Sequence, residues 1–183
     1  MPSSSSSNML RVSIESQKFP GSYLRIDGRG VTEYSGSGGG AVNVQNHVAS
    51  YETLIIVNHP DDNTFSIMSS AFPNVYLRMD GSDIKSGDTY AQGAGKVNCQ
   101  CVSPVIFKVG RYWLRAIRWG SHSWEKFRFE DQEDGTKAIT SVQFPNAYLR
   151  MENVTGQGGP SGAGTVNCQS YIGSYEKFKI HVL

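Results

Sequence analysis

One ten-residue phrase occurs three times in this chain, and that repetition limits the fold more than any other feature. It reads Phe19-Pro-Gly-Ser-Tyr-Leu-Arg-Ile-Asp-Gly28, Phe72-Pro-Asn-Val-Tyr-Leu-Arg-Met-Asp-Gly81 and Phe144-Pro-Asn-Ala-Tyr-Leu-Arg-Met-Glu-Asn153. A second phrase follows each copy: Val42-Asn-Val-Gln45, Val97-Asn-Cys-Gln100 and Val166-Asn-Cys-Gln169. A third closes each unit: Tyr51-Glu-Thr-Leu54, Trp124-Glu-Lys-Phe127 and Tyr175-Glu-Lys-Phe178. Three phrases in fixed order define three repeats, spanning about 9–60, 61–134 and 135–183 of one domain at 9–183.

Within a repeat the apolar residues alternate with period two, the signature of strands. Met9–Ser16 places Leu10, Val12 and Ile14 on one face. Tyr23–Asp27 places Leu24 and Ile26 on one face and Tyr23, Arg25 and Asp27 on the other, with Asp27-Gly28 as hairpin chemistry at its end. Ala41–Gln45 and Tyr51–Val57 complete four strands. Phe65, Ile67, Leu77, Met79, Val97 and Cys99 repeat the inward pattern in the second unit. From Gln to the aromatic of the third phrase is six residues in repeats one and three but 24 in repeat two, so 101–123 holds an insertion. Its Val105-Ile106-Phe107 and Tyr112-Trp113-Leu114 predict a hairpin. A single four-stranded unit would leave an apolar face and open edges, whereas three together can close a barrel. The expectation is an all-β chain, a β-trefoil with pseudo-threefold symmetry.

Other features narrow the function. A net charge of +1 gives no reason to expect nucleic acid as a partner, and no apolar run is long enough for membrane insertion. The 20 glycines cluster between the first and second phrases, as loops. Met1–Asn8 is a serine-rich stretch that reads as a disordered tail rather than a signal peptide. Cys99 and Cys168 share a repeat position with Val44, which suits a small buried site and a reducing compartment, and Cys101 reads as a free thiol. The expected location is cytoplasmic, with non-classical secretion left open. Asn153-Val-Thr155 is a formal glycosylation acceptor.

The phrases resemble the fascin-like branch of the β-trefoils, and especially trefoil carbohydrate-binding modules with Gly-x-Trp-Glu-x-Phe repeats. Gly173-Ser-Tyr-Glu-Lys-Phe178 and Trp124-Glu-Lys-Phe127 carry the resemblance best, and Ala49-Ser-Tyr-Glu-Thr-Leu54 is the weakest copy. In such relatives the aromatic and the Glu contact sugar, which here implies Tyr51, Glu52, Trp124, Glu125, Tyr175 and Glu176. Fascin-like trefoils also include actin bundlers, so actin binding is a second implied function.

Read from the residues, the acid at Asp27, Asp80 and Glu152 projects outward, either to accept sugar hydroxyls or to pair at the surface with Arg25, Arg78 and Arg150. Asn43 and Gln45, Asn98 and Gln100, and Asn167 and Gln169 form an outward amide pair in each repeat. They fit sugar hydroxyls or the backbone of the glycine loops. If Phe127 and Phe129 face the core, Glu125 shares their parity and ties down loop N–H groups, leaving Tyr51, Trp124 and Tyr175 outermost. The four histidines fall at unrelated repeat positions and no metal-ligand spacing occurs, so neither an enzyme nor a cofactor is expected. The leading expectation is a lectin with up to three glycan sites and a homodimer open as its assembly. An inhibitor or defence protein acting through the 101–123 loop is a third reading.

Overall fold

The computed structural model describes residues 8–85, 94–102, 105–109, 112–116, 124–152 and 161–183, with backbone alone for 105–109 and 112–116. Among the described residues fourteen strands follow one another: β1 (Met9–Ser16), β2 (Tyr23–Asp27), β3 (Ala41–Gln45), β4 (Leu54–His59), β5 (Thr64–Ser69), β6 (Val75–Asp80), β7 (Gly95–Cys101), β8 (Val105–Val109), β9 (Tyr112–Ala116), β10 (Phe127–Asp131), β11 (Lys137–Ser141), β12 (Tyr148–Glu152), β13 (Thr165–Gln169) and β14 (Phe178–Val182). The sole helical turn among the described residues is a 3₁₀ turn at Ser174–Glu176.

Six of these strands close a ring. β1 pairs with β4, β4 with β5, β5 with β10, β10 with β11, β11 with β14, and β14 returns to β1, every pair antiparallel. Closure leaves this ring no edge. The remaining pairs β2–β3, β6–β7 and β12–β13 are hairpins at one end of it. Strands β8 and β9 pair with each other as the expected hairpin and with no other described strand. The core is what the alternation predicts: Leu24 and Ile26, Leu77 and Met79, and Leu149 and Met151 are fully buried, together with Val12, Ile14, Phe127 and Phe178. Cys99, Cys101 and Cys168 are free and buried. Burial pushes the Cys99 and Cys168 thiols up to about 12, so both behave as small apolar groups.

Each hairpin loop is seated on the next hairpin. Gly40 bridges to Cys99, Cys168 pairs with Gly95, and Ala163 bridges to Val44, so the three loops and three hairpins form a closed cycle. Glycine is required at the first two of these seats. A Cβ on Gly40 would lie 2.3 Å from Cys99 Sγ, and one on Gly95 would lie 2.2 Å from Cys168 Sγ.

Several expectations are corrected. Asp27-Gly28 does not close a tight hairpin turn, because the loop from β2 runs to Gly40 before β3 begins, and Gly28 and its repeat-two counterpart Gly81 serve packing instead. They are small because Phe72 and Phe144 of the following repeat press on them, each 2.8 Å from where a Cβ would stand. The fourth strand begins at Leu54 rather than Tyr51, since 51–53 turn around a bond from Thr53 N to the Ala49 carbonyl (3.0 Å). Leu10 is exposed although its parity points inward, because it lies near the end of β1. Asn8 belongs to the fold, its carbonyl accepting from Asn58 N at 2.8 Å. Residues 1–7, the Asn153-Val-Thr155 acceptor and most of the 101–123 segment outside its hairpin lie beyond the described residues.

Candidate functional site

The site forms around an arginine. In β2, Arg25 stands directly across from Asn43 of β3, and Asp27 follows two residues later on the same face. Arg25 Nη2 donates to Asp27 Oδ2 (3.1 Å) and Nη1 to Asn43 Oδ1 (3.3 Å). Its Nε lies 3.5 Å from Glu52 Oε1, and its guanidinium lies 4.6 Å from the Tyr51 ring centroid. All three phrases of the repeat therefore meet on one side chain. The same grouping recurs. Arg78 packs 3.9 Å from the Trp124 centroid, 3.5 Å from Asp80 and across from Asn98. Arg150 packs 4.8 Å from the Tyr175 centroid, pairs with Glu152 and Glu176, and faces Asn167.

These arginines are not the surface partners that the sequence reading allowed. Arg25, Arg78 and Arg150 are buried, as are Asp27, Gln45, Gln100, Gln169, Glu52, Glu125 and Glu176. A buried guanidinium is tolerable only when it is paired and hydrogen-bonded, and the ring face adds to that pairing. Parity alone misplaced this face because it assumed that water lay beyond it. Here the third phrase folds back over the hairpin and covers it.

Several of the remaining predicted residues have an identifiable task. Glu52 Oε2 accepts from Ala49 N (2.9 Å) and Glu176 Oε2 from Gly173 N (2.7 Å), which is the loop-tying role that parity gave Glu125. Glu125 itself accepts from Gln100 Nε2. Burial pushes the carboxyls of Glu125 and Glu176 above the ordinary range. The asparagines hold glycine loops, but loops of another repeat: Asn43 Nδ2 donates to the Ser161 carbonyl (2.9 Å) and Asn98 Nδ2 to the Ser37 carbonyl (2.7 Å). Tyr51, Trp124 and Tyr175 are half-buried, each meeting the edge of the next repeat's phenylalanine: Tyr51 with Phe72, Trp124 with Phe144, and Tyr175 with Phe19 (4.9, 5.4 and 5.3 Å).

The acids differ from one another. Asp27 is clamped by Arg29, whose Nε and Nη2 approach it at 2.9 and 2.6 Å, and these bonds hold its carboxyl at about 2. Asp80 accepts instead from Ser82 N and Oγ (3.1 and 2.7 Å). In repeat one the surface opens into a cleft of about 250 Å³ lined by Arg25, Gln45, His47, Ala49, Ser50, Tyr51 and Glu52. A second cleft, about 200 Å³, lies between Gly81, Ile84 and the 143–147 turn. Among the described residues no group of three or more His, Cys, Asp or Glu is placed to hold a metal ion. The sequence reading missed the arginines as the centre of the site and passed over His47 and Ser50. The arginines were legible, being present in all three copies, and so was the serine before the aromatic (Ser50, Ser123 and Ser174); His47 belongs to repeat one alone.

No family model matches the chain, and no curated protein matches its sequence. Solved structures do match, and with the closed ring and three hairpins they define the class: the chain is a β-trefoil. The BEL β-trefoil superposes over 95% of this chain and 93% of its own, with TM-score 0.53 and 12% identity. The Polyporus squamosus lectin, solved with a sialylated trisaccharide, matches 93% of this chain with TM-score 0.54 and 13% identity, and this chain corresponds to 48% of its length. A mosquitocidal holotoxin matches 93% of this chain with TM-score 0.58 and 13% identity, and there the match spans only 17% of the toxin chain. At these identities the likeness is one of fold.

Proposed function

We propose that this chain is a non-enzymatic glycan-binding protein, a lectin with up to three sites, one per repeat, of which the repeat-one cleft is the best formed. The observation that carries this reading is the convergence of all three phrases on that cleft, where an aromatic ring, an amide, an imidazole and a hydroxyl share one concave surface. Buried Arg25, Asp27 and Glu52, with half-buried Asn43, fix its walls, while His47, Ser50 and Tyr51 at the rim meet the ligand. A ring face and directional hydrogen-bonding groups are what a pyranose requires, because it presents C–H and O–H faces together. Trp124 and Tyr175 mark the related positions in the other repeats. The fold's likeness to the Polyporus squamosus lectin supports the reading. Weak single sites gain strength in combination, so three would raise avidity on a multivalent surface.

Glycan-array screening followed by calorimetric titration tests it. Binding to at least one glycan class, lost from the repeat-one site in Tyr51→Ala and retained in Tyr175→Ala, is expected. Absence of binding to every glycan class would end the proposal.

A further inference from the structure

The three acids at Asp27, Asp80 and Glu152 hold one repeat position in three different settings. Asp80 and Glu152 keep part of their surface, with side chains 18% and 40% exposed. The Asp27 side chain is 9% exposed, because Arg29 grips both its oxygens while Arg25 takes one from beneath. Arg29 has no counterpart: Ser82 stands in its place in repeat two and Val154 in repeat three. With full ionisation, the repeat-one cluster of Arg25, Arg29, Asp27 and Glu52 is neutral. The clusters of repeats two and three each carry one surplus negative charge. Arg29 is itself 62% exposed and engages Asp27 through Nε and Nη2, and among the described residues its Nη1 makes no hydrogen bond. It shares Asp27 Oδ2 with Arg25, which lines the cleft, at 2.6 and 3.1 Å respectively. The His47 imidazole, its Nδ1 3.0 Å from Asn46 Oδ1, lines the same cleft.

We propose that the repeat-one cleft takes an acidic saccharide, one bearing a carboxylate or a sulfate, and that Arg29 reads its charge; this rests on the lectin reading above. The chemistry differs from that of the other repeats. A partly exposed carboxylate, as at Asp80 and Glu152, accepts hydrogen bonds from the hydroxyls of a neutral sugar and repels an anionic one. In repeat one the acid is already occupied, and the group presented outward is a guanidinium whose planar fork matches carboxylate and sulfate oxygens. Asp27 fixes that fork in advance, so little side-chain entropy is lost when a ligand arrives.

The test uses the full chain on matched pairs of neutral and acidic glycans: lactose with 6′-sialyllactose, galactan with galacturonan fragments, and unsulfated with sulfated lactosamine. Wild type is expected to prefer the acidic member of at least one pair. Arg29→Ser, which installs the residue of repeat two, should weaken that binding by about tenfold, the worth of one charge-assisted hydrogen bond. It should leave neutral glycans bound at least as well, and Arg29→Lys should retain most of the preference. Equal affinity for both members of every pair, an unchanged preference in Arg29→Ser, or loss of neutral and acidic binding together would overturn the proposal while leaving the lectin reading intact. Failure of wild type to bind any glycan would instead overturn the lectin reading and this proposal with it.

Discussion

Arg150→Met isolates the cost of the buried ionic clusters. The Glu176 side chain is fully buried, and its Oε1 has the Arg150 Nε at 3.4 Å as its cationic partner. Its Oε2 accepts from Gly173 N, and Glu152 on the same strand as Arg150 acts against its charge. Methionine keeps much of the volume of arginine but removes the cation, leaving a carboxylate in a dry site with one backbone N–H. Orphaning one member of a buried pair costs about 3–5 kcal/mol, a large fraction of the roughly 5–15 kcal/mol that holds a domain together. For a chain of this length the melting temperature should fall by roughly 10 °C. The loss should depend on pH in a definite direction. Burial already raises the Glu176 carboxyl above its ordinary 4.5, so the folded state binds its proton more tightly than the unfolded state does. Stability carried by such a group increases as pH falls toward the unfolded value. Removing Arg150 raises the folded value further, so the penalty should shrink between about pH 7 and about pH 5. Urea denaturation followed by tryptophan fluorescence at both pH values measures this, and Arg150→Met/Glu176→Gln should recover part of the loss. A penalty below about 1 kcal/mol at neutral pH, or one equal at both pH values, would refute the reasoning.

Two further outcomes are expected. Gly81→Ala places a Cβ 2.8 Å from Phe144 Cβ and 2.9 Å from Ala147 Cβ, so it should cost about 1–3 kcal/mol by overpacking; a stability within about 0.5 kcal/mol of wild type would contradict the contact. In acid, Asp27, Asp62 and Asp134 each sit at about 2 in the folded chain against an ordinary 3.8, held down chiefly by Arg29, Lys126 and Thr136 respectively. Their contribution is complete above the higher value and lost as pH falls through the lower, so circular dichroism should show acid unfolding between about pH 4 and about pH 2. Unfolding that is finished well above pH 4 would argue against it.

Most of the strands and the inward-facing residues were legible in the chain alone. Alternation is local information: Leu24 and Ile26, or Leu149 and Met151, face inward because a strand has period two whatever surrounds it. Parity within the third phrase gave the loop-tying role to Glu125, but Glu52 and Glu176 are the residues that bind loop N–H groups, while Glu125 accepts from Gln100 Nε2. Tertiary structure decided what lay on the other face. Arg25, Arg78 and Arg150 are polar and alternate with the core, so a strand read alone sends them to water; they are buried because the third phrase, about 25 residues or more along the chain, closes over them. It also decided which loop each asparagine holds, since Asn43 bonds Ser161 and Asn98 bonds Ser37 through a cyclic arrangement that no segment encodes alone. Repetition accounts for the recurrence of the buried arginine cluster at Arg25, Arg78 and Arg150. Burial, which depends on what folds over each copy, determines that Arg29 faces outward while its neighbour Arg25 does not.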